Sequence, residues 1–442
     1  MANTRKSHSD NLTHRLATSL PDGSAILIGL SGGVDSVVLL HLLHHLAASH
    51  GWQLSALHIH HGISPNADHW AEFCAALCAK LSIPLHIEKV NIAPLRALGL
   101  EAAARQLRHR AFAAQHCDFV ALAHHADDQV ETLLLQLLRG AGVRGAAAMP
   151  ERSAKAHRIV RPLLHSTREE ILAYAACNEL AWIEDESNAD EAYPRNFLRH
   201  RLLPVLSEKF PAYRVTLGRG AQHFAEASEL LDDLARLDGT GFILDNTLQV
   251  GALRGLSITR AKNLLRYFLY QLGCPVPQAA QLDDMLHQLC NAKADAGVCI
   301  DFASGGWQVR RYRGAVHVLR TPENFDRCVI LPWQGEATID WPALNSCILF
   351  QKSTGQGISL EKLQARPVTL RLRQGGESLR PFANSPCRTL KNLLQEHCVP
   401  PWQRDRLPLL YCGEQLICVP GVATSVAYNA LAGEPAILLK MD

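Results

Sequence analysis

The sequence predicts an α/β fold whose first half is a Rossmann-like, mostly parallel sheet with helices on both faces. Short runs rich in Ile, Leu and Val alternate with helical patterns from residue 25 to residue 140. Strands and helices alternating at this spacing build a parallel sheet covered on both sides. Polar clusters follow these strands, and in such sheets ligands bind beyond the carboxyl ends of the strands.

AILIGL (25–30) is the first strand, and VVLLHLLHHLAAS (37–49) has the apolar positions of a buried helix. LSALHIHHG (54–62) is a second strand and AEFCAALCAKL (71–81) a helix. PLHIEKV (84–90) is a third strand, 100–116 is helical, and DFVALAH (118–124) is a fourth strand. DDQVETLLLQLLRG is a helix that ends at Gly140, and from about 163 to 210 the pattern is helical and polar. At 442 residues the chain exceeds what one hydrophobic core usually serves. The expected division is a catalytic domain over 1–212, a helix-rich middle domain over 213–355 and a small α+β domain over 366–442. QKSTGQGISLEKLQA (351–365) reads as a linker.

Composition excludes several classes. With 48% hydrophobic and 19% charged residues the chain is globular, and a formal charge of +2 makes any basic surface local. Thirteen cysteines without a C-x-x-C pair give neither a disulfide framework nor a zinc ribbon, and fit reduced thiols. The first residues have no apolar signal core and no apolar stretch reaches membrane-spanning length, so a cytoplasmic protein without membrane attachment is expected.

SGGVDS (31–36) lies between a strand and a helix, as an anion-binding loop should. Gly32 and Gly33 let the backbone approach a phosphate, and the helix that follows presents its positive end to it. Ser31 and Ser36 add hydroxyls, and Asp35 can hold Mg²⁺ against phosphates. The loop lacks the G-K-[ST] ending of a Walker A motif. The hexapeptide resembles the signature of ATP pyrophosphatases, which cleave ATP between its α- and β-phosphates.

HHADDQVET (124–132) opens the helix after the fourth strand. Asp128 with Glu131 fits an Asp-headed capping box, but His124, His125 and Asp127 put more polar groups on the turn than capping requires. Asp127, Asp128 and Glu131 are close enough to share a helix face and could bind Mg²⁺ or an ammonium group. In EAAARQLRHR (101–110), Glu101, Arg105 and Arg108 form one helical stripe. The histidines show no zinc-ligand spacing. Between Arg366 and Arg406 eight basic residues face three acids, the footprint of a nucleic-acid backbone binder.

SGGVDS, HIHHG, HHADDQVET and RGAG, with RPLL (161–164) and IEDESNADEAYPRNFLRHRLLP (183–204), together resemble the tRNA(Ile)-lysidine synthetases. The resemblance is strong over about 20–210, moderate over 366–425 and weak between. One departure is Ile63-Ser64 after Gly62, where many members have Leu-Arg.

The resemblance implies ATP contacts from Ser31, Gly32, Gly33, Val34, Asp35, Ser36 and His60, with Mg²⁺ on Asp35. It implies catalytic roles for Asp35, Arg105, Asp128 and Glu131, the last two holding free L-lysine. It implies tRNA contacts from Arg195, Arg199, Arg371, Arg373, Arg380 and Lys391. The expected reaction joins lysine to C2 of the wobble cytidine of tRNA(Ile) with a CAU anticodon, after ATP adenylates the base. A thiolation enzyme would want a cysteine pair or C-x-x-C, and an amidating relative a glutaminase; neither is visible. The sequence leaves a homodimer open.

Overall fold

The computed structural model describes residues 12–62, 64–153, 159–293, 296–303, 306–321, 326–344 and 346–441. The chain forms two compact units, Met1–Leu234 and Ala235–Asp442.

The first unit is built on a six-stranded sheet: β1 (Ala25–Gly29), β2 (Gln53–His60), β3 (Leu85–Lys89), β4 (Phe119–Ala121), β5 (Arg152–Ser153) and β6 (Ile159–Val160). Their spatial order is β3-β2-β1-β4-β6-β5, parallel throughout except for the β5–β6 pair. The order reverses at β1, which pairs with β2 on one side and β4 on the other, and such a reversal opens a crevice at the strand ends. In register, Ile26, Leu27 and Ile28 face Phe119, Val120 and Ala121. The loops after β1 and β4 therefore emerge side by side.

Ile26 and Ile28 of β1 are fully buried, as are Leu39, Leu40, Leu42 and Leu43 of α1 (Val34–His50). The helix is largely buried from Val34 to Leu43, as an apolar run of this kind requires, and exposes His44, His45, Ala48 and Ser49 in its C-terminal part. It packs with Ile171, Tyr174 and Ala175 of a later helix and stops at Gly51, which takes the left-handed conformation at φ 66°. The longer helices that follow in the unit are α2 (Ala67–Lys80), α3 (Leu100–Ala113), α4 (Ala126–Leu138), α5 (Arg168–Cys177), a run over 194–209 with a π turn at Leu198–Leu202, and the start of α6 (Tyr213–Gly239). The strands β5 and β6 were not expected. Each is two residues long, too short to show a period.

In the second unit, Val250–Gly255, Ile258–Gln271 and Ala279–Asn291 are helical and share a core with a five-stranded antiparallel sheet. A second core gathers Trp341, Ile348, Phe350, Leu370 and Ile437. The expected linker over 351–365 is corrected here. Ser346–Thr354 is a strand whose residues 348–354 pair with Pro435–Met441, and Leu363 is buried in the same core. Its polar residues decorate the open face of a sheet. None of the thirteen cysteines is in a disulfide, and among the described residues no helix is long and apolar enough to cross a membrane.

Because Leu42 is fully buried where α1 packs into the core, truncation there leaves a hole the fold cannot close. Leu42→Ala should cost about 2–5 kcal/mol in urea denaturation, whereas a loss under about 1 kcal/mol would show that α1 can move to fill it.

Candidate active site

The loop after β1 is organised around one hydroxyl. Ser36 Oγ accepts the N–H groups of Ser31 and Gly32, each at 3.2 Å, and donates to the Gly33 carbonyl at 2.9 Å. Ser36 is buried, so it shapes the loop from inside. Gly32 has φ +90°, and a Cβ there would sit 3.0 Å from Ile183 Cδ1 and 3.3 Å from Cys74 Sγ. Ile183 N–H also donates to the Gly32 carbonyl at 2.9 Å. Gly33 is the N-cap of α1 without a side-chain cap, so the first-turn amides of α1 have no acceptor within the helix.

Asp35, second in α1, points toward the turn after β4. Its Oδ2 lies 3.4 Å from Arg168 Nη1, while its buried Oδ1 has no hydrogen-bond partner among the described residues and lies 3.7 Å from His125 Nε2. Burial raises the Asp35 pKa and outweighs the opposing charges of His125 and Arg168.

The α4 turn differs from the capping box expected of it. His125 is the N-cap, and Asp128, three residues on, accepts the His125 N–H at 3.1 Å. Burial pushes the Asp128 carboxyl up, but His125, His124, Arg195 and this N–H together hold it below its ordinary value. Glu131 is fully buried, with Arg199 donating to both oxygens, at 2.7 and 3.1 Å. Arg195 Nε is 3.1 Å from Oε2, close enough for an ion pair but off the hydrogen-bond axis, and Arg195 also donates to Thr132 Oγ1. Burial raises the Glu131 pKa despite Arg199. Arg199 reaches Asp128 as well, at 3.3 Å.

The structure thus brings together Asp35, Asp128, Glu131, Arg195 and Arg199. The two arginines, expected on tRNA, neutralise carboxylates expected on lysine. Arg105 and Arg108 are exposed on α3; the Glu101 side chain lies outside the described residues. Burial, then Arg105, holds the Arg161 guanidinium down to about 10. Burial, with Arg161, Arg195 and Arg108 adding and Asp128 opposing, holds His124 down to about 4. Burial and Arg108 hold His61 down to about 4. Both imidazoles are neutral at pH 7 and keep a buried Nδ1 with no hydrogen-bond partner among the described residues. His60 puts its Nε2 3.1 Å from Asp68. Ser64, the departure from the family pattern, donates to Glu186 at 2.6 Å and ties the loop after β2 to residues 184–188.

Sequence reasoning missed Arg168, Arg161 and Arg214. Arg168 has a local signal: it starts α5 inside the capping box of Thr167 and Glu170. Arg161 heads RPLL. Arg214 has no local signal, because its partner Asp127 is far away in the chain.

In the second unit, Arg371 forks onto Glu414 at 2.9 and 3.0 Å and lies over the Tyr411 ring. Arg373 lies 3.8 Å from Glu377 and 3.9 Å from Asp405. Arg380 and Lys391 are exposed, and Arg380 lines a cleft of about 860 Å³ with Arg366 and Arg371. Glu414 lies outside the 366–406 charge count, so the paired tail is less basic than its sequence.

This loop, strand order and carboxylate turn define a PP-loop protein, and a family profile for the PP-loop domain matches residues 5–206. Profiles for a TilS substrate binding domain and a TilS substrate C-terminal domain match 248–317 and 368–441. The chain is 41% identical to the tRNA(Ile)-lysidine synthase of Nitrosomonas europaea, covering 97% of this chain and 94% of that one. It is 37% identical to that of Coxiella burnetii, over 95% and 94% of the two chains. Among solved structures it is similar to a U34-tRNA thiolase of Methanococcus maripaludis, at 19% identity and a TM-score of 0.44, over 50% of this chain and 80% of that one. The chain belongs to the tRNA(Ile)-lysidine synthase family.

Two outcomes follow from the site's electrostatics. Arg199→Met strands the buried Glu131 and should cost about 3–5 kcal/mol in chemical denaturation, with Arg195 limiting the loss. Asp128 titrates below its ordinary value in the fold, so its charge stabilises the fold above about pH 4 and that contribution is lost as pH falls further. The stability gap between wild type and Asp128→Asn should therefore narrow from about pH 5 to pH 3; a constant gap would mean that Asp128 is not held by its positive neighbours.

Proposed function

We propose that the chain is an ATP-dependent ligase that forms lysidine on tRNA(Ile), joining L-lysine to C2 of the wobble cytidine of the CAU anticodon. The observation that carries this is the phosphate loop and the Asp128 turn side by side at the β1–β4 crevice, in a chain aligned over 94% of a curated lysidine synthase. In the first step the cytosine O2 attacks the α-phosphorus of ATP and the bond to the leaving pyrophosphate breaks. In the second, the lysine ε-amine attacks C2 and AMP leaves with the O2 oxygen.

Each step asks something different of the residues. The leaving pyrophosphate needs preorganised positive charge, which the first-turn amides of α1 and the Arg168 guanidinium beside Asp35 can offer. The free, buried Oδ1 of Asp35 is a hard oxygen donor that fits Mg²⁺. Bound there, the ion would neutralise phosphate charge. Lysine arrives as an ammonium, and Asp128 is the carboxylate to receive it: its side chain is 14% exposed, against 0% for Glu131. Glu131, with both oxygens on Arg199, anchors the arginines. A wobble base is reachable because it lies in a single-stranded loop. Arg380 and Lys391, exposed on the C-terminal module, are the tail residues best placed to meet a phosphate backbone.

Labelled lysine should enter CAU-bearing tRNA(Ile) only with ATP and Mg²⁺, and a methionine tRNA should stay unlabelled. Pyrophosphate release without labelling would keep the adenylation and replace the nucleophile. Asp128→Asn should raise the KM for lysine about tenfold or more while ATP–pyrophosphate exchange persists. Unchanged lysine saturation would remove Asp128 from the lysine site.

A further inference from the structure

Asp127 takes no part in the chemistry proposed above, yet both of its carboxylate oxygens are committed. Arg214 donates Nε to Oδ1 at 2.5 Å, and the Arg168 backbone N–H donates to Oδ2 at 3.1 Å. The residue is only 8% exposed. Arg214 is the second residue of α6, and its Nη1 also lies 3.5 Å from Glu169 on α5. Its neighbour Tyr213 is buried against Val130 of α4 and Leu203, which fixes where the guanidinium starts from. A backbone bond from Ala126 N–H to the Ser166 carbonyl, at 2.8 Å, reinforces the same junction. One ion pair thus gathers three helix starts: α4 with Asp128, α5 with Arg168, and α6.

We propose that Arg214 and Asp127 are a positioning pair for the ligase reaction, holding the first turns of α4 and α5 so that Asp128 and Arg168 keep their places around Asp35. The argument is one of charge as well as geometry. Asp35, Asp127 and Asp128 crowd one crevice, with Oδ2 of Asp127 and Oδ2 of Asp128 respectively 3.7 and 3.6 Å from His125 nitrogens. Arg214 cancels the carboxylate that does no chemistry. Without it, Asp127 is a buried, half-bonded anion that must either turn outward, dragging α4 with it, or compete with Asp35 for the Arg168 side chain. Either rearrangement displaces groups that must meet the reacting atoms, and a misplacement of about 1 Å can cost about 100-fold in rate.

The inference rests on the ligase reading given above, and the test separates the two. The full chain is assayed for tRNA-dependent ATP–pyrophosphate exchange without lysine, and for lysine transfer, as wild type, Arg214→Gln, Arg214→Lys, Asp127→Asn and the Arg214→Gln/Asp127→Asn double variant. Arg214→Gln is expected to lower kcat of exchange about 10- to 100-fold with KM for ATP and tRNA nearly unchanged. Arg214→Lys should recover most of it, and the double variant should be no slower than the worse single one. Exchange within about twofold of wild type, a loss carried by the KM for tRNA alone, or a lysine variant no better than the glutamine one would each overturn the pairing. Thermal melts show whether each variant is folded; if Arg214→Gln is not, Arg214→Lys and the isosteric Asp127→Asn give the same comparison. A wild-type chain with neither exchange nor transfer overturns the ligase reading, and this proposal with it.

Discussion

The pairing of β1 with β4 is the constraint on which the rest of the first unit depends. These strands lie about ninety residues apart in sequence, yet three register pairs hold them together at the point where strand order reverses. The phosphate loop leaves the end of one and the acidic turn leaves the end of the other. Asp35 faces His125 because of that adjacency, and Arg168 joins them through β6, which pairs with the other side of β4. The covering helices contribute by being apolar enough to keep the sheet dry, and α1 does this over Val34–Leu43.

Within the crevice the recurring theme is a buried acid with an arginine assigned to it. Glu131 has Arg199 and Arg195, Asp127 has Arg214, and Asp35 has Arg168. An unpaired charge at such burial is costly, so these pairs are conditions for keeping carboxylates in the site at all. The basic stripe on α3 acts at longer range, helping to hold His61 and His124 neutral. A chain of nearly balanced total charge has thereby concentrated opposite charges in one small volume.

Much of this was legible in the residues, and the limits are instructive. Four strands of the sheet announced themselves because each is an apolar run between helical patterns, and SGGVDS and HHADDQVET fell at strand ends. What local pattern could not supply was partnership. Arg195 and Arg199 were visible as motif residues, but a motif does not say whether an arginine faces solvent or a glutamate on another helix. Arg214 gave no sign at all, since its importance depends on the α4–α6 junction. The capping role of the acidic turn was visible, but its frame was three residues off: Asp128 closes the cap as N3 and His125 heads it. In the second half, short strands and an amphipathic tail concealed the return of Pro435–Met441 onto Ser346–Thr354, which only a contact across eighty residues could reveal.

The contact between Gly32 and Ile183 has a consequence for how such chains diverge. The phosphate loop rests on a side chain and an N–H contributed by the segment that begins IEDESN, so two stretches separated by about a hundred and fifty residues share one template. Neither can drift alone. Added bulk at position 183 would press on a loop whose glycine already stands where a methyl group would crowd Ile183 and Cys74, and the same segment continues to Arg195 and Arg199. A recombinant that inherited its loop from one ancestor and this segment from another would therefore receive two halves of a single mould.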